Sequence, residues 1–235
     1  MVSAGRPCNG FLEPLNATDF EAIRPHLKTV ELSQGPSLIE LGQPVKNIYF
    51  PHTAVIALVV ELKAGERVEV AMVGPDSMLG VCGALGKPVA LINAVVLLQG
   101  SASVIEIDRL RAAAEQSTTL RETMASHGQA LFAQAQQTAA CNASHDVDAR
   151  LARWLLRVRD LSGSDRFELT QEFMAQMIGA RRNSVSIVAH ALQQSNCIRY
   201  SRGHIEIIDI DGLNRSTCEC YSAVKAQYQR LRFPR

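Results

Sequence analysis

The sequence has no long hydrophobic run. Its longest uninterrupted apolar stretch, residues 54–60, falls far short of the roughly 18–20 residues that a membrane-spanning helix needs. The N-terminus has no basic region leading into an apolar core, so no export signal is expected and the cytoplasm is the expected location. A cysteine framework is also missing. Cys8, Cys82, Cys141, Cys197, Cys218 and Cys220 show no regular spacing and no Cys-x-x-Cys pair, which argues against a disulfide scaffold or a zinc knuckle. Reduced, mostly buried thiols are expected, with no metal site and no cofactor. The chain also lacks a phosphate loop, a nucleophile–base pair and paired carboxylates on a shared element, so enzymatic activity is not expected. What is present, 47% hydrophobic and 20% charged residues in 235, suits one large or two modest globular domains and excludes disorder.

An excess of one charge is missing too, but the net charge of +1 hides a division. Up to Ala149 there are 10 basic and 15 acidic residues; from Arg150 onward there are 14 basic and 8 acidic. Between Arg181 and Ile205, Arg181, Arg182, Arg199 and Arg202 occur with no acidic residue. Such a local excess attracts phosphate; on charge alone, a solvated face is the preferred reading.

Glycines at 35, 42, 65, 74, 80, 83, 86 and 100 punctuate short β-branched runs, the pattern of an all-β roll or sandwich. Strands are expected at 29–32, 38–41, 47–50, 54–62, 67–73, 94–99 and 103–107. In the fifth, Val68, Val70 and Met72 alternate with polar or small residues, as in a half-buried strand. Residues 54–60 are apolar on both faces and should lie deeper. Asn16 or Thr18 can cap a short helix before the roll.

From 109 to 144 the period becomes helical. Leu120, Met124, His127, Leu131, Ala135 and Thr138 recur at spacings of four, three, four, four and three, a narrow seam suited to one partner helix. A helix of about 30 residues reaches about 45 Å, longer than the roll can cover, so the seam predicts a homodimer with Leu120, Met124, His127, Leu131 and Ala135 at its interface. Gly128 beside it suggests close backbone approach or a bend. His127 reads as a hydrogen-bonded interface histidine, with a pH-sensitive element as the alternative. A break at 142–146 leads into an amphipathic helix carrying Val147, Leu151, Trp154, Leu155 and Val158, which a loop at 161–165 ends.

Thr170 then caps a helix, Ala175 offers a small side chain for close helix crossing, Gly179 tolerates positive φ, and Val185 and Val188 supply a second buried face. This is a helix-turn-helix pattern. Arg182, Asn183, Ser184, Ser186, Ile187 and His190 are left pointing outward, most of them at the start of the second helix, where base edges are read. Residues 198–201, the Arg202-Gly203 turn and residues 204–208 form a hairpin wing that places Arg202 and His204 near a phosphate. The DNA contacts expected are Thr170, Gln171, Arg181, Arg182, Asn183, Ser184, Ser186, Arg202 and His204. A tail helix is expected over 213–235, with Leu213, Thr217, Tyr221, Val224, Tyr228 and Leu231 on one face; on it Cys218 and Cys220 would point about 200° apart and share no metal.

Over essentially its whole length the chain resembles the family of the cyclic-AMP receptor protein and the fumarate-and-nitrate regulator. The resemblance rests on Ile39-Glu40-Leu41-Gly42-Gln43-Pro44-Val45, Ile48-Tyr49-Phe50-Pro51 and, most specifically, Thr170-Gln171-Glu172 through Gly179-Ala180-Arg181-Arg182-Asn183-Ser184-Val185. It implies an α+β chain: an effector-sensing jelly roll (11–108), a long dimerisation helix and hinge (109–145), a winged helix-turn-helix (146–212) and the tail (213–235). It implies a dimeric transcriptional regulator on a twofold double-stranded DNA site, with RNA polymerase as a further partner and no membrane. The effector pocket it implies falls on Gly80, Val81, Cys82, Ile92 and Asn93.

Two departures matter. Where cyclic-nucleotide-binding members carry Arg-Ser, this chain reads Ala90-Leu91-Ile92-Asn93-Ala94, and no arginine lies between Arg67 and Arg109. A buried cyclic phosphate would lack a cation, so the effector is expected not to be cyclic AMP. Only Cys8 lies near the N-terminus, which argues against the family's iron–sulfur cluster. Cys82, between apolar neighbours, reads as a buried thiol. The alternatives are a constitutive repressor without ligand, and a jelly-roll binding protein or enzyme with an interaction domain.

Overall fold

The computed structural model describes residues 6–232. Asn16 accepts a hydrogen bond from the Asp19 amide and caps α1 (Ala17–Ile23). The roll follows as β1 (Lys28–Leu32), β2 (Ser37–Ile39), β3 (Asn47–Pro51), β4 (Val55–Glu61), β5 (Arg67–Val73), a short α2 (Val81–Leu85), β6 (Asn93–Leu98) and β7 (Gly100–Glu106). Two antiparallel sheets, ordered β1-β7-β3 and β2-β6-β4-β5, enclose the apolar filling expected of a roll.

The four-stranded sheet is buried on both faces. Ile56, Leu58, Ala94 and Val96 turn into the roll, while Val55, Ala57, Val59, Val95 and Leu97 join a second core with the C-terminal half. The doubly apolar run 54–60 therefore marks the sheet on which the C-terminal domain sits, and its last residue, Val60, is exposed. The simple alternation expected for β5 fails. A register shift opposite Leu58/Val59 lets Met72 face the C-terminal domain and Val70 the roll interior, as a β-bulge does. Glu69, expected on a polar face, is buried.

The long helix is two helices. α3 (Ile107–Gln116) stops at Ser117, which turns extended and accepts a hydrogen bond from the Leu120 amide to cap α4 (Thr118–Ser144). Three successive hydroxyl residues, Ser117, Thr118 and Thr119, favour a cap over a helix interior. α4 spans about 40 Å.

The expected dimer seam faces inward. Leu120 and Met124 are fully buried in the core beneath the roll, and Leu131 enters the roll interior. The His127 ring nitrogen Nδ1 lies 3.2 Å from the Ser77 hydroxyl, and the ring packs edge-on against Phe11. Ala135 is half-buried. The stripe was apolar because its own chain covers it. Gly128 lies over α2, where an added Cβ would meet Val81 at 3.8 Å, an ordinary contact.

α5 (Val147–Ser162) leads into the helix-turn-helix, α6 (Gln171–Met177) and α7 (Arg182–Gln194), then β9 (Ile198–Ser201) and β10 (His204–Ile207). Directly after the expected 161–165 loop the chain forms one more strand, β8 (Arg166–Glu168), which pairs with β10 to make the wing three-stranded. The expected single tail helix is also two, α8 (Ile210–Ser216) and α9 (Cys220–Arg232), broken where Thr217 turns extended. α9 returns along α4, with Val224 and Tyr228 packed on Ala130 and the Gln134 amide donating to the Tyr228 hydroxyl. The side chain of Leu231 and residues 233–235 lie outside the described set. Because Cys218 precedes α9 rather than riding on it, the expected 200° divergence from Cys220 does not apply, and the two come together with Cys141 and His145.

Candidate nucleic-acid interface

The Thr170 hydroxyl accepts a hydrogen bond from the Phe173 amide and starts α6. Ala175 is buried at the crossing with α7, and Gly179 has φ +61° in the turn, where a side chain would be strained and would meet Val68 at 3.1 Å. Val185, Ala189 and Leu192 bury one face of α7, with Val188 half-buried beside them. Arg181, Arg182 and Asn183 are exposed, with Ser184 and Ser186 half-buried and Ile187 exposed. The Ser186 hydroxyl donates to the Gln171 carbonyl at 2.5 Å, tying two of the expected contact residues together across the motif.

At the helix start, Arg181 occupies the capping position without a side-chain cap. The amide groups of the first turn and the arginines therefore project together, an arrangement suited to phosphate. Arg182 lies 3.7 Å from Glu172, both more than half exposed; such a pair is weak in water and is readily exchanged for a phosphate or a base edge.

The wing is less basic than its sequence. Glu206 accepts from Arg166 at 2.7 Å and from Arg199 at 2.5 Å, and these guanidinium groups hold it below the usual carboxylate range. His204 lies 3.7 Å from Glu168. Arg202 sits exposed at the tip with φ +49°, followed by Gly203 at +86°. Of the expected wing contacts, Arg202 is placed best, since His204 is shared with a carboxylate.

Two functional arrangements had no clear signal in the sequence. The buried Arg150 guanidinium donates to the backbone carbonyls of Ile178 and Gly179, so a side chain of α5 holds the turn that aims α7. Trp154 donates to buried Glu69 at 2.9 Å, joining α5 to the roll. Burial pushes the Glu69 carboxyl up to about 8, against the opposing effects of the Trp154 hydrogen bond and the Arg153 and Arg157 charges. Arg157 pairs with Asp76 at 2.7 Å at the same junction. A cleft of about 600 Å³ lined by Leu62, Glu66, Arg67 and Val68 of the roll and by Arg181 and Arg182 lies between the β4–β5 hairpin and the start of α7.

The expected effector residues lie in different surroundings. Gly80, with φ +97°, opens α2 where a Cβ would strike Ile48 at 2.7 Å, and Val81 is buried. Cys82 is exposed, not the buried thiol expected, because α2 is a single-layer surface helix that turns only Val81, Gly83 and Ala84 inward. Ile92 is half-buried. Asn93 accepts from the Leu41 amide and lines a different hollow of about 270 Å³ with Glu40, Glu61 and Arg67.

A recognition helix with a cationic start, a capped partner helix and a wing together define a DNA-binding winged helix-turn-helix protein. Residues 149–216 match the family model of the Crp-like helix-turn-helix domain. The fold is shared with solved regulators. A Crp/Fnr-family transcriptional regulator from Eubacterium rectale superposes with TM-score 0.69 at 15% identity, covering 86% of this chain and 94% of that one. FixK2 from Bradyrhizobium japonicum gives 0.69 at 15%, covering 82% and 98%. A CRP-family regulator from Thermus thermophilus gives 0.67 at 18%, covering 80% and 95%. No curated protein matches the chain in sequence. With a Crp-like helix-turn-helix domain over residues 149–216, the chain is a DNA-binding transcription regulator, and its fold is the one shared by the solved Crp/Fnr-family regulators. Among the described residues no helix is long and apolar enough to cross a membrane.

Proposed function

We propose that this regulator acts as a cytoplasmic homodimer that lays α7 of each protomer into the major groove of a twofold DNA site, under a signal other than a cyclic nucleotide. The observation that carries the reading is the exposed Arg181-Arg182-Asn183 start of α7 above the buried Val185, Ala189 and Leu192. Arg182 suits guanine and Asn183 adenine, while Arg181 and Arg202 suit phosphate. Two such helices read half-sites about 10 base pairs apart.

The dimer is supported by a second seam on α4. Ala125, Gln129, Phe132, Gln136, Ala139 and Ala143 are spaced four, three, four, three and four, all are exposed, and none is charged. Phe132, 66% exposed, is a large apolar group with no reason to face water, and this seam replaces the buried one as the contact between protomers. The roll interior is filled by apolar side chains, including Leu131, and carries no arginine on β6, which supports a non-nucleotide signal. That same filling favours a second reading, regulation without any ligand. Contact with RNA polymerase belongs to the proposal as well.

Selection of random duplexes by the full chain tests it. Recovery of a twofold sequence with half-sites one helical turn apart is expected; recovery of unrelated or asymmetric sequences overturns the dimeric reading. Calorimetry with cyclic AMP and cyclic GMP should show no binding, and micromolar affinity would contradict the assignment. Equal operator affinity with and without cell extract selects the ligand-independent reading.

A further inference from the structure

The linker between α8 and α9 brings two thiols to the point where α4 ends. Cys141 lies in the last turn of α4, His145 is the residue that ends it, Cys218 lies in the linker, and Cys220 opens α9. Their four donor atoms all lie within 4.8 Å of one another. The Cys141 and Cys218 sulfurs are 3.6 Å apart, and the Cys220 sulfur is 3.7 Å from His145 Nδ1. A tetrahedral zinc ion, with bonds of about 2.3 Å to sulfur and about 2.0 Å to nitrogen, holds its donors about 3.5–3.8 Å apart.

The surroundings are those of ligands rather than of stray thiols. His145 turns Nδ1 toward the cluster and its other ring nitrogen, Nε2, toward Glu219 at 3.3 Å. This is the carboxylate–histidine arrangement that fixes the tautomer of a metal-bound imidazole. The Gln137 amide donates to the Cys220 sulfur at 3.1 Å, a bond that a thiolate accepts more strongly than a thiol. Cys141 and Cys220 are buried while His145 and Cys218 are half-buried, so an ion has a route in and, once bound, little contact with water. Three sulfurs and one imidazole with no carboxylate donor match zinc in softness and geometry, and they exclude calcium and magnesium.

We propose that Cys141, His145, Cys218 and Cys220 form a structural zinc site that ties the start of α9 to the hinge between α4 and α5. Zinc enters as the divalent ion, and the three thiols give up their protons to solvent as the Zn–S bonds form. The site lies at the hinge and tail, outside the helix-turn-helix and its DNA contacts, and it stands whether or not the reading of α7 holds.

The test uses the full chain, purified under reducing conditions, stripped with a chelator and then titrated with zinc or cobalt. One zinc per chain by elemental analysis is expected, with three thiols protected from a thiol reagent. Cobalt should give the intense visible bands of a tetrahedral ion and a near-ultraviolet thiolate band. Cys218→Ser and His145→Ala should lower zinc affinity at least tenfold, and Cys82→Ser, at an exposed cysteine away from the cluster, should leave it unchanged. The wild-type titration decides the matter even where a cluster variant fails to fold. Less than one-fifth of an equivalent of zinc bound by the reduced chain, an octahedral cobalt spectrum, or a Cys141–Cys218 disulfide that persists under reducing purification would overturn the site.

Discussion

α4 and α7 both bury apolar side chains, yet they leave opposite surfaces to the solvent. α7 buries Val185, Ala189 and Leu192 and presents Arg181, Arg182 and Asn183. α4 buries one face under the roll, sets another against α9, and leaves a third that is uncharged: Ala125, Gln129, Phe132, Gln136, Ala139 and Ala143. An exposed cationic helix start is stable in water and is completed by a polyanion. An exposed, uncharged heptad carrying a phenylalanine is completed by another apolar surface. Under the proposed function, DNA completes the first helix and a second copy of the chain completes the other.

The strongest way to break this contrast is to charge the uncharged seam. Phe132→Glu should leave the fold intact, because the side chain is already exposed, and convert the dimer to a monomer. Operator affinity should then fall by about a hundredfold or more, since each protomer engages only one half-site. Light scattering alongside DNA titration checks both effects; a variant that stays dimeric moves the interface elsewhere.

A smaller effect concerns the junction that holds the reading domain against the roll. The folded protein keeps Glu69 protonated up to about pH 8, whereas the unfolded chain releases that proton near the ordinary glutamate value. Folding stability contributed by this group is therefore full below the ordinary glutamate value, declines as pH rises from there, and is lost by about pH 8. The limit is about 1.4 kcal/mol per pH unit. His127, whose buried ring is lowered to about 4, acts in the opposite direction and only below the ordinary histidine value. Between pH 7 and 8 the decline in unfolding free energy should thus be attributable mainly to Glu69. Glu69→Gln, which keeps an acceptor for Trp154, should flatten it in denaturant titrations; an unchanged slope would show that Glu69 is not the titrating group.

The smallest effect sharpens the account of α4. Gly128→Ala gains up to about 1 kcal/mol of helix propensity, and its methyl group meets Val81 at an ordinary 3.8 Å. Thermal unfolding should move upward by a few degrees without loss of dimer. A destabilised variant would mean that the backbone at Gly128 approaches a partner closely after all.

What the sequence made legible follows a physical rule. β2, β5 and β6 of the roll are each flanked by glycine on both sides, and the helix-turn-helix carries residue types, Ala175, Gly179, Val185 and the arginines, whose steric and charge requirements are local. α4 was harder because an apolar stripe states that something covers it without stating what. Its inward stripe, Leu120 to Thr138, is the more hydrophobic of the two, so the roll takes it and the weaker stripe is left outside. Glu69 was misplaced because a bulge breaks strict alternation, and β8 was missed because three residues carry too little pattern. Cys141 and Cys218 lie 77 residues apart, and treating 213–235 as one helix removed the bend at Thr217 that brings Cys218 and Cys220 together. Arg150 reads as one more cation of an amphipathic helix until its carbonyl partners at the turn are seen.

The central claim, that the start of α7 meets DNA phosphate and bases, is tested most directly by the salt dependence of binding to a selected operator. Wild-type affinity should fall steeply with salt. The double variant Arg181→Ala, Arg182→Ala should bind at least roughly tenfold more weakly, consistent with a base contact of about 1–3 kcal/mol. Its log–log salt slope per protomer should be shallower by about one for each phosphate contact removed. An operator affinity and slope equal to wild type would contradict the account.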